Sequence, residues 1–178
     1  MKDLSLNILD VTHNSISAGA GLIEVTVREE KDLLTISIKD NGCGISPEML
    51  KTVTDPFTTS RTTRKVGMGL PLFKLAAEQS GGTLTIESAL GEGTEVTASF
   101  FTSNIDCPPL GDMGSTTALL AGALKEGMEL VYTRVKDDKS FVFDTREIRA
   151  VLGDISLAEP DVQEWIRAYI TEQEGSLL

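Results

Sequence analysis

Asp10 and Asn14 stand four residues apart in the run LSLNILDVTHNSISA, so on a helix they share a face and point into the same space. An amide oxygen suits a hard cation such as Mg²⁺, and a carboxylate one turn away can orient or deprotonate an attacking water. Two polar residues on a solvated helix face are the plainer alternative. Asp40 closes an alternating apolar stretch and is followed by Gly42 and Gly44 in DNGCG. A carboxylate at a strand end can accept a hydrogen bond from an exocyclic amine such as that of adenine. Glycines beside it let backbone and base approach closely, or simply make a turn.

A third stretch, RTTRKVGMG from Arg61 to Gly69, runs into the apolar helix pattern LPLFKLAAEQ that opens at Leu70. Gly67 and Gly69 free the backbone and supply amide donors, and a helix start favours phosphate. Arg61, Arg64 and Lys65 add charge-assisted contacts to such an anion, unless they form only a solvated basic loop. The fourth stretch is Gly91-Glu92-Gly93-Thr94, a glycine turn between two alternating segments. The run ending at Gly69 is neither a Walker A loop nor a dinucleotide fingerprint: it lacks a Gly-Lys-Ser/Thr ending and does not complete G-x-G-x-x-G.

These residues need a scaffold, and the hydrophobic periods supply one. Leu4, Ile8, Leu9 and Ile16 fall at near-helical spacing over residues 4–18, and Gly19 and Gly21 stop the helix. Residues 22–29 and 33–40 alternate through Ile23, Val25, Val27, Leu34, Ile36 and Ile38, which predicts an antiparallel pair around a charged turn. Pro47 opens a short helix, PEMLKTV. Residues 54–69 show no apolar period and read as a mobile loop. A helix over 70–79 and a second strand pair, TLTIESA and TEVTASFF, complete the set. The predicted architecture is α/β: a two-layer sandwich of a mixed β-sheet with helices on one face.

Around residues 103–114 the composition turns to Pro, Gly, Asn and Asp, which marks a linker. The expected organisation is a site-bearing domain over 1–102 and a small α+β C-terminal extension over 103–178. The extension is expected to hold a helix, a hairpin around Asp137-Asp138, a short helix and a last amphipathic helix. In that helix Val162, Trp165, Ile166, Tyr169 and Ile170 share a stripe, read as a surface that docks on the main domain or binds a partner.

The 178-residue chain carries a net charge of −11, unevenly spread. Residues 1–102 hold 9 basic and 13 acidic groups (net −4), and residues 103–178 hold 7 and 14 (net −7), so the extension is the more acidic per residue. An acidic surface repels phosphate backbones and anionic lipids, so nucleic acid and membrane partners are not expected. No apolar run reaches the length of a membrane span, and MKDLSLNILD lacks signal-peptide character, so the expected location is the cytoplasm. Cys43 and Cys107 have no metal-ligand spacing and read as buried or half-buried thiols.

The order of the asparagine helix, DNGCGI, GMGLPLFK, GGTLTIES and GEGTEVTASF resembles the GHKL superfamily of gyrase, the large heat-shock chaperone, histidine kinases and MutL. The stretch from GMGL to ASFF is most similar to the ATP-binding domain of sensor histidine kinases, while HNSISAGAGLIEVTV and DNGCGI also resemble MutL. The resemblance covers about residues 4–101 and implies a Bergerat-type ATP-binding fold with ATP and Mg²⁺ as cofactors. It implies a Mg²⁺ ligand at Asn14, an adenine contact at Asp40 and an adenine pocket shaped by Gly42 and Gly44. Phe57 would precede an ATP lid over 58–66, Gly67 and Gly69 would line the phosphates, and Gly91, Gly93 and Thr94 would support the adenine end.

Asp10 matches the general base of the hydrolysing members, where glutamate is usual, and Ser17 stands where histidine kinases often carry a basic residue. The family-like segment begins almost at residue 1, so a dimerisation helix pair before it is not expected. The sole histidine, His13, lies within the asparagine helix, away from any phosphoacceptor position, as a structural or site-lining residue. The expected function is an ATP/Mg²⁺-binding, kinase-like or slow ATPase regulator of a partner protein, engaged through the lid or the extension. The alternative is a non-catalytic, nucleotide-dependent binding module.

Overall fold

The computed structural model describes residues 3–54 and 69–177. Helix α1 (Leu4–Ser17) leads into strands β1 (Leu22–Glu30) and β2 (Leu33–Asp40), then α2 (Pro47–Leu50) and α3 (Gly69–Gln79). Strands β3 (Leu84–Ala89) and β4 (Gly93–Phe101) follow, then α4 (Met113–Ala123), β5 (Glu129–Lys136), β6 (Lys139–Asp144), α5 (Thr145–Leu152) and α6 (Pro160–Ser176). All six strands form one sheet in the order β3-β4-β2-β1-β5-β6. Every neighbouring pair is antiparallel except β1 and β5, which run parallel. This is the mixed sheet with helices that the hydrophobic periods predict, and the hairpin around Asp137-Asp138 is its β5–β6 pair.

Alternation assigns the faces. Ile23, Val25 and Val27 of β1 lie beside Ile36 and Ile38 of β2, Val96, Ala98 and Phe100 of β4, and Leu130 and Tyr132 of β5, all buried. The residues between them, such as Glu24, Thr26, Arg28, Ser37 and Thr97, make a polar face that is exposed or half-buried. Helices α1 and α3 cover the first four strands, and Phe73 of α3 packs its ring 5.7 Å from that of Phe100.

Residues 103–178 extend this sheet and brace α1. The first two α1 amides, on Leu4 and Ser5, donate to the carbonyls of Pro109 and Leu110 at 2.9 and 2.7 Å, which satisfies donors that a helix start leaves free. Helix α4 is apolar around most of its circumference and buried accordingly, between α1 and α6. Its Gly114 lets α6 cross closely: a Cβ there would meet the Thr171 hydroxyl at 2.6 Å and the Arg167 carbonyl at 2.7 Å.

Val162, Ile166 and Ile170 of α6 are buried, and Gln163 donates to the carbonyls of Ala118 and Leu157, both at 2.7 Å. Trp165 differs from the expected stripe. It is 48% exposed and stacks on Tyr169, one turn along, with ring centroids 5.1 Å apart. A stripe at helical spacing spans more arc than one contact face needs, so its edge stays in water.

A buried charge network fixes the far end of α6. Arg134, 5% exposed, donates to Glu29 of β1 at 3.2 Å and to Glu174 of α6 at 3.0 Å. The Tyr132 hydroxyl donates to the same Glu174 at 2.6 Å. Burial and then the Glu174 charge hold that phenol well above its usual pKa, so it stays a donor. Among the described residues, no helix is long and apolar enough to cross a membrane.

Candidate functional site

A cleft of about 320 Å³ opens between α1, the end of β2, the 43–49 segment and the start of α3. Val11, Ile38, Ile45, Met49, Leu70 and Val96 give it apolar walls, and Asn14, Ser15, Asp40 and Thr94 supply its polar groups. Helix α1 reaches it because Leu4, Ile8 and Val11 are buried, which leaves the Asn14 face turned to the open end of the sheet.

The Asp40 carboxylate is held from two sides. The Ser15 hydroxyl donates to one oxygen at 2.5 Å, and the Gly42 amide donates to the other at 2.9 Å. Thr94 lies opposite Asp40 in the β2–β4 register, and its hydroxyl is 2.8 Å from that of Ser88. Ser88 in turn accepts from the Ile45 amide at 2.7 Å, which ties the cleft wall to β3.

The two glycines of DNGCG answer to backbone geometry. A Cβ on Gly42 would sit 2.9 Å from the Ala18 Cβ. Gly44, at φ +78°, would place a Cβ 2.2 Å from the Ala89 carbonyl oxygen. Both approaches bring the 41–45 loop down between α1 and the β3–β4 turn, where the Gly91 amide donates to the Cys43 carbonyl at 2.8 Å.

Of the residues singled out in the sequence, Asn14, Asp40, Gly44, Leu70 and Thr94 line the cleft, and Gly42 bonds to Asp40 from behind it. Gly69 and Asp10 do not line it. They meet beside it, because a Cβ on Gly69 would lie 3.1 Å from the Asp10 Cβ, and the Asp10 side is exposed. Phe57, Arg61, Arg64, Lys65 and Gly67, with the 58–66 lid, lie outside the described residues. His13 is exposed and outside the cleft lining, whereas Ser17 is part of it.

Cys43 departs from the expected buried or half-buried thiol: it is exposed at the cleft, in the 41–45 loop rather than on a packed element. Cys107 is half-buried, and burial followed by the nearby Glu29 charge raises its pKa. Sequence reasoning missed Ser15, whose bond to Asp40 spans 25 positions and leaves no local signal. The apolar wall residues were visible only as members of a core pattern.

The arrangement has clear chemical preferences. An apolar slot with one fixed carboxylate suits a flat aromatic ring that carries an amine. Asn14 keeps its amide nitrogen buried without a hydrogen-bond partner, an orphaned polar group at the cleft wall. Among the described residues, no group of three or more His, Cys, Asp and Glu side chains is arranged to hold a metal. A hard cation beside Asn14 would therefore draw its other oxygens from phosphate and water, which is how Mg²⁺ is usually held.

Comparison with known proteins points the same way. A family model described as "Histidine kinase-, DNA gyrase B-, and HSP90-like ATPase" matches residues 2–104. A sensor histidine kinase of Bacillus subtilis, YxdK, is 34% identical over 108 residues, which is 57% of this chain and 33% of that protein. A sensor protein of Staphylococcus aureus, SrrB, is 42% identical over 77 residues, 40% of this chain and 13% of that one. The chain thus spans a third or less of the length of these relatives. The fold also matches the crystal structure of the N-terminal domain of a DNA repair protein, with a TM-score of 0.53 at 15% identity over 79% of this chain and 51% of that one.

Proposed function

Since the chain belongs to the histidine kinase-, DNA gyrase B- and HSP90-like ATPase family, we propose that it binds ATP with Mg²⁺ in this cleft and acts as a kinase-like or slow ATPase regulator of a partner protein. The observation that carries the reading is the Asp40 carboxylate, fixed by Ser15 and Gly42 at the polar end of an apolar slot. Asp40 accepts the exocyclic amine of adenine, and Val11, Ile38, Ile45, Met49 and Val96 clasp the ring faces. Asn14 offers its amide oxygen to Mg²⁺, and the N-terminus of α3 at Gly69–Leu70 faces the phosphates with the positive end of its dipole. Arg61, Arg64 and Lys65 belong to the 58–66 lid stretch after Phe57 and add positive charge there, and Gly67 follows it to line the phosphates. Bound ATP with Mg²⁺ supplies an activated phosphoryl group whose charge the metal offsets.

Asp10 orients the attacking group from the edge of the site. Its exposure, outside the cleft lining, favours a second reading in which nucleotide is sensed without turnover and occupancy alone changes partner affinity.

Calorimetric titration with ATP and ADP, with and without Mg²⁺, tests the site. Wild type should bind, and Asp40→Asn should bind at least about tenfold more weakly, as expected when one polar contact in a closed pocket is lost. Asn14→Ala should lose the Mg²⁺ dependence. Equal binding by wild type and Asp40→Asn would remove the adenine assignment, and no binding by wild type would remove the proposal. Turnover that is unchanged in Asp10→Asn would leave Asp10 without a catalytic part and favour the sensing module.

A further inference from the structure

Helix α6 is anchored by one side and open on the other. Its buried side uses Val162, Ile166 and Ile170, and Glu174 is engaged by Arg134 and Tyr132. Opposite them, Asp161, Glu164, Trp165, Ala168, Tyr169 and Glu172 recur at i, i+3, i+4, i+7, i+8 and i+11, which places them on one continuous face. All are exposed except Tyr169, which is half-buried. The Trp165 and Tyr169 rings stack face to face, 10° from parallel with centroids 5.1 Å apart. Tyr169 also packs against the core, so Trp165, 48% exposed, is the ring of this face that reaches water.

The charge on this face is of one sign. Asp161, Glu164 and Glu172 flank the rings, and the face carries no cation. Arg167 sits off it and pairs with Glu164, which leaves Asp161 and Glu172 as the carboxylates of this face free to take a cation. The other arginines of the extension are also engaged, Arg134 by Glu29 and Glu174, Arg146 by Asp144 at 2.8 Å and Arg149 by Glu129 at 2.9 Å. An exposed indole between free carboxylates matches one side-chain chemistry above others. A guanidinium can lie over the exposed side of the Trp165 ring and bond Asp161, one turn away, with its edge.

We infer that this face of α6 is a docking surface for an arginine-bearing segment of a partner protein. The inference deepens the proposed partner role by naming its surface and the chemistry of its occupant, and it does not depend on nucleotide binding. The net charge of −7 over residues 103–178 adds long-range attraction for a basic segment. The same charge disfavours a second acidic copy of this chain as the occupant.

Trp165 is the sole tryptophan of the chain, so its fluorescence reports this face directly. The full chain is titrated with an acetylated, amidated twelve-residue peptide of alternating arginine and alanine. The same peptide with glutamate replacing arginine serves as control. The expected result is a saturating change in Trp165 emission with the arginine peptide alone, weakened by salt. The double variant Asp161→Asn/Glu172→Gln should bind at least about threefold more weakly, the scale of exposed ion-pair contacts. It should not shift thermal stability by more than a surface change does, and it should not alter ATP titration.

No emission change, equal responses to both peptides, or undiminished binding by the double variant would overturn the assignment. Emission that changes with protein concentration alone would also overturn it, in favour of a second copy on this face. A failed ATP titration with intact peptide binding would remove the nucleotide reading and leave the surface standing.

Discussion

Asp40 owes its position to two donors on separate elements: the Ser15 hydroxyl from α1 and the Gly42 amide from its own loop. Fixing both oxygens leaves the carboxylate few rotamers, so any ligand amine meets a preorganised acceptor. Gly44 sets the loop that carries the second donor. Its φ of +78° and the 2.2 Å approach to the Ala89 carbonyl leave no room for a side chain. Gly44→Ala should therefore destabilise the protein by about 2–4 kcal/mol, combining left-handed backbone strain with overpacking. A urea midpoint equal to that of wild type would show that the loop relaxes and that the glycine is needed for some other reason. The Asp-Gly-Gly spacing was legible in the sequence as a site signal. That its glycines serve contact with Ala18 and Ala89 was not, because those partners are remote in the chain.

Among the elements, α4 and α5 begin on aspartate caps. Asp112 accepts from the Ser115 amide at 2.9 Å and the Ser115 hydroxyl at 2.7 Å, and Asp144 accepts from the Arg146 amide at 2.9 Å and from its guanidinium. The Ser115 bonds lower the pKa of Asp112, and the Arg146 bonds lower that of Asp144. A carboxyl whose folded pKa is depressed binds fewer protons folded than unfolded. Its stabilisation is thus complete above the ordinary aspartate pKa of about 3.9 and is lost as pH falls through the lower folded value. Asp112→Ala should cost about 1 kcal/mol at pH 7, the usual worth of an N-cap, and the gap should narrow as the pH is taken well below the ordinary aspartate pKa. Urea unfolding of both proteins at the two pH values measures this, and a constant gap would show that the charged cap is not what stabilises α4. Both helices were legible in the sequence, although α4, apolar around most of its circumference, carries no helical period. The caps were not assigned from sequence, because an aspartate before a helix competes with many other turn aspartates in so acidic a chain.

At the scale of the molecule, the ATPase family segment and the acidic residues 103–178 share one sheet through the parallel β1–β5 pair. They also share α1, which takes its first backbone acceptors from Pro109 and Leu110, and the Glu29–Arg134–Glu174 network. A chain so interlocked should unfold as one unit, with Trp165 fluorescence in α6 and far-ultraviolet circular dichroism falling on one denaturant curve. Separate midpoints would instead mean that residues 103–178 melt on their own. The sequence by itself determined the strands and helices, because alternation and helical period are local. It also determined the family and the order of the site motifs, because Asp40, Asn14 and the glycine runs keep their spacing along the chain. Only the tertiary structure decided that β5 joins β1 and that Ser15 holds Asp40. It likewise decided that Trp165 faces water while Ile166 is buried. Each of these depends on which surfaces meet across long sequence separations, where the energy lies in packing and remote hydrogen bonds and not in any residue's own preference.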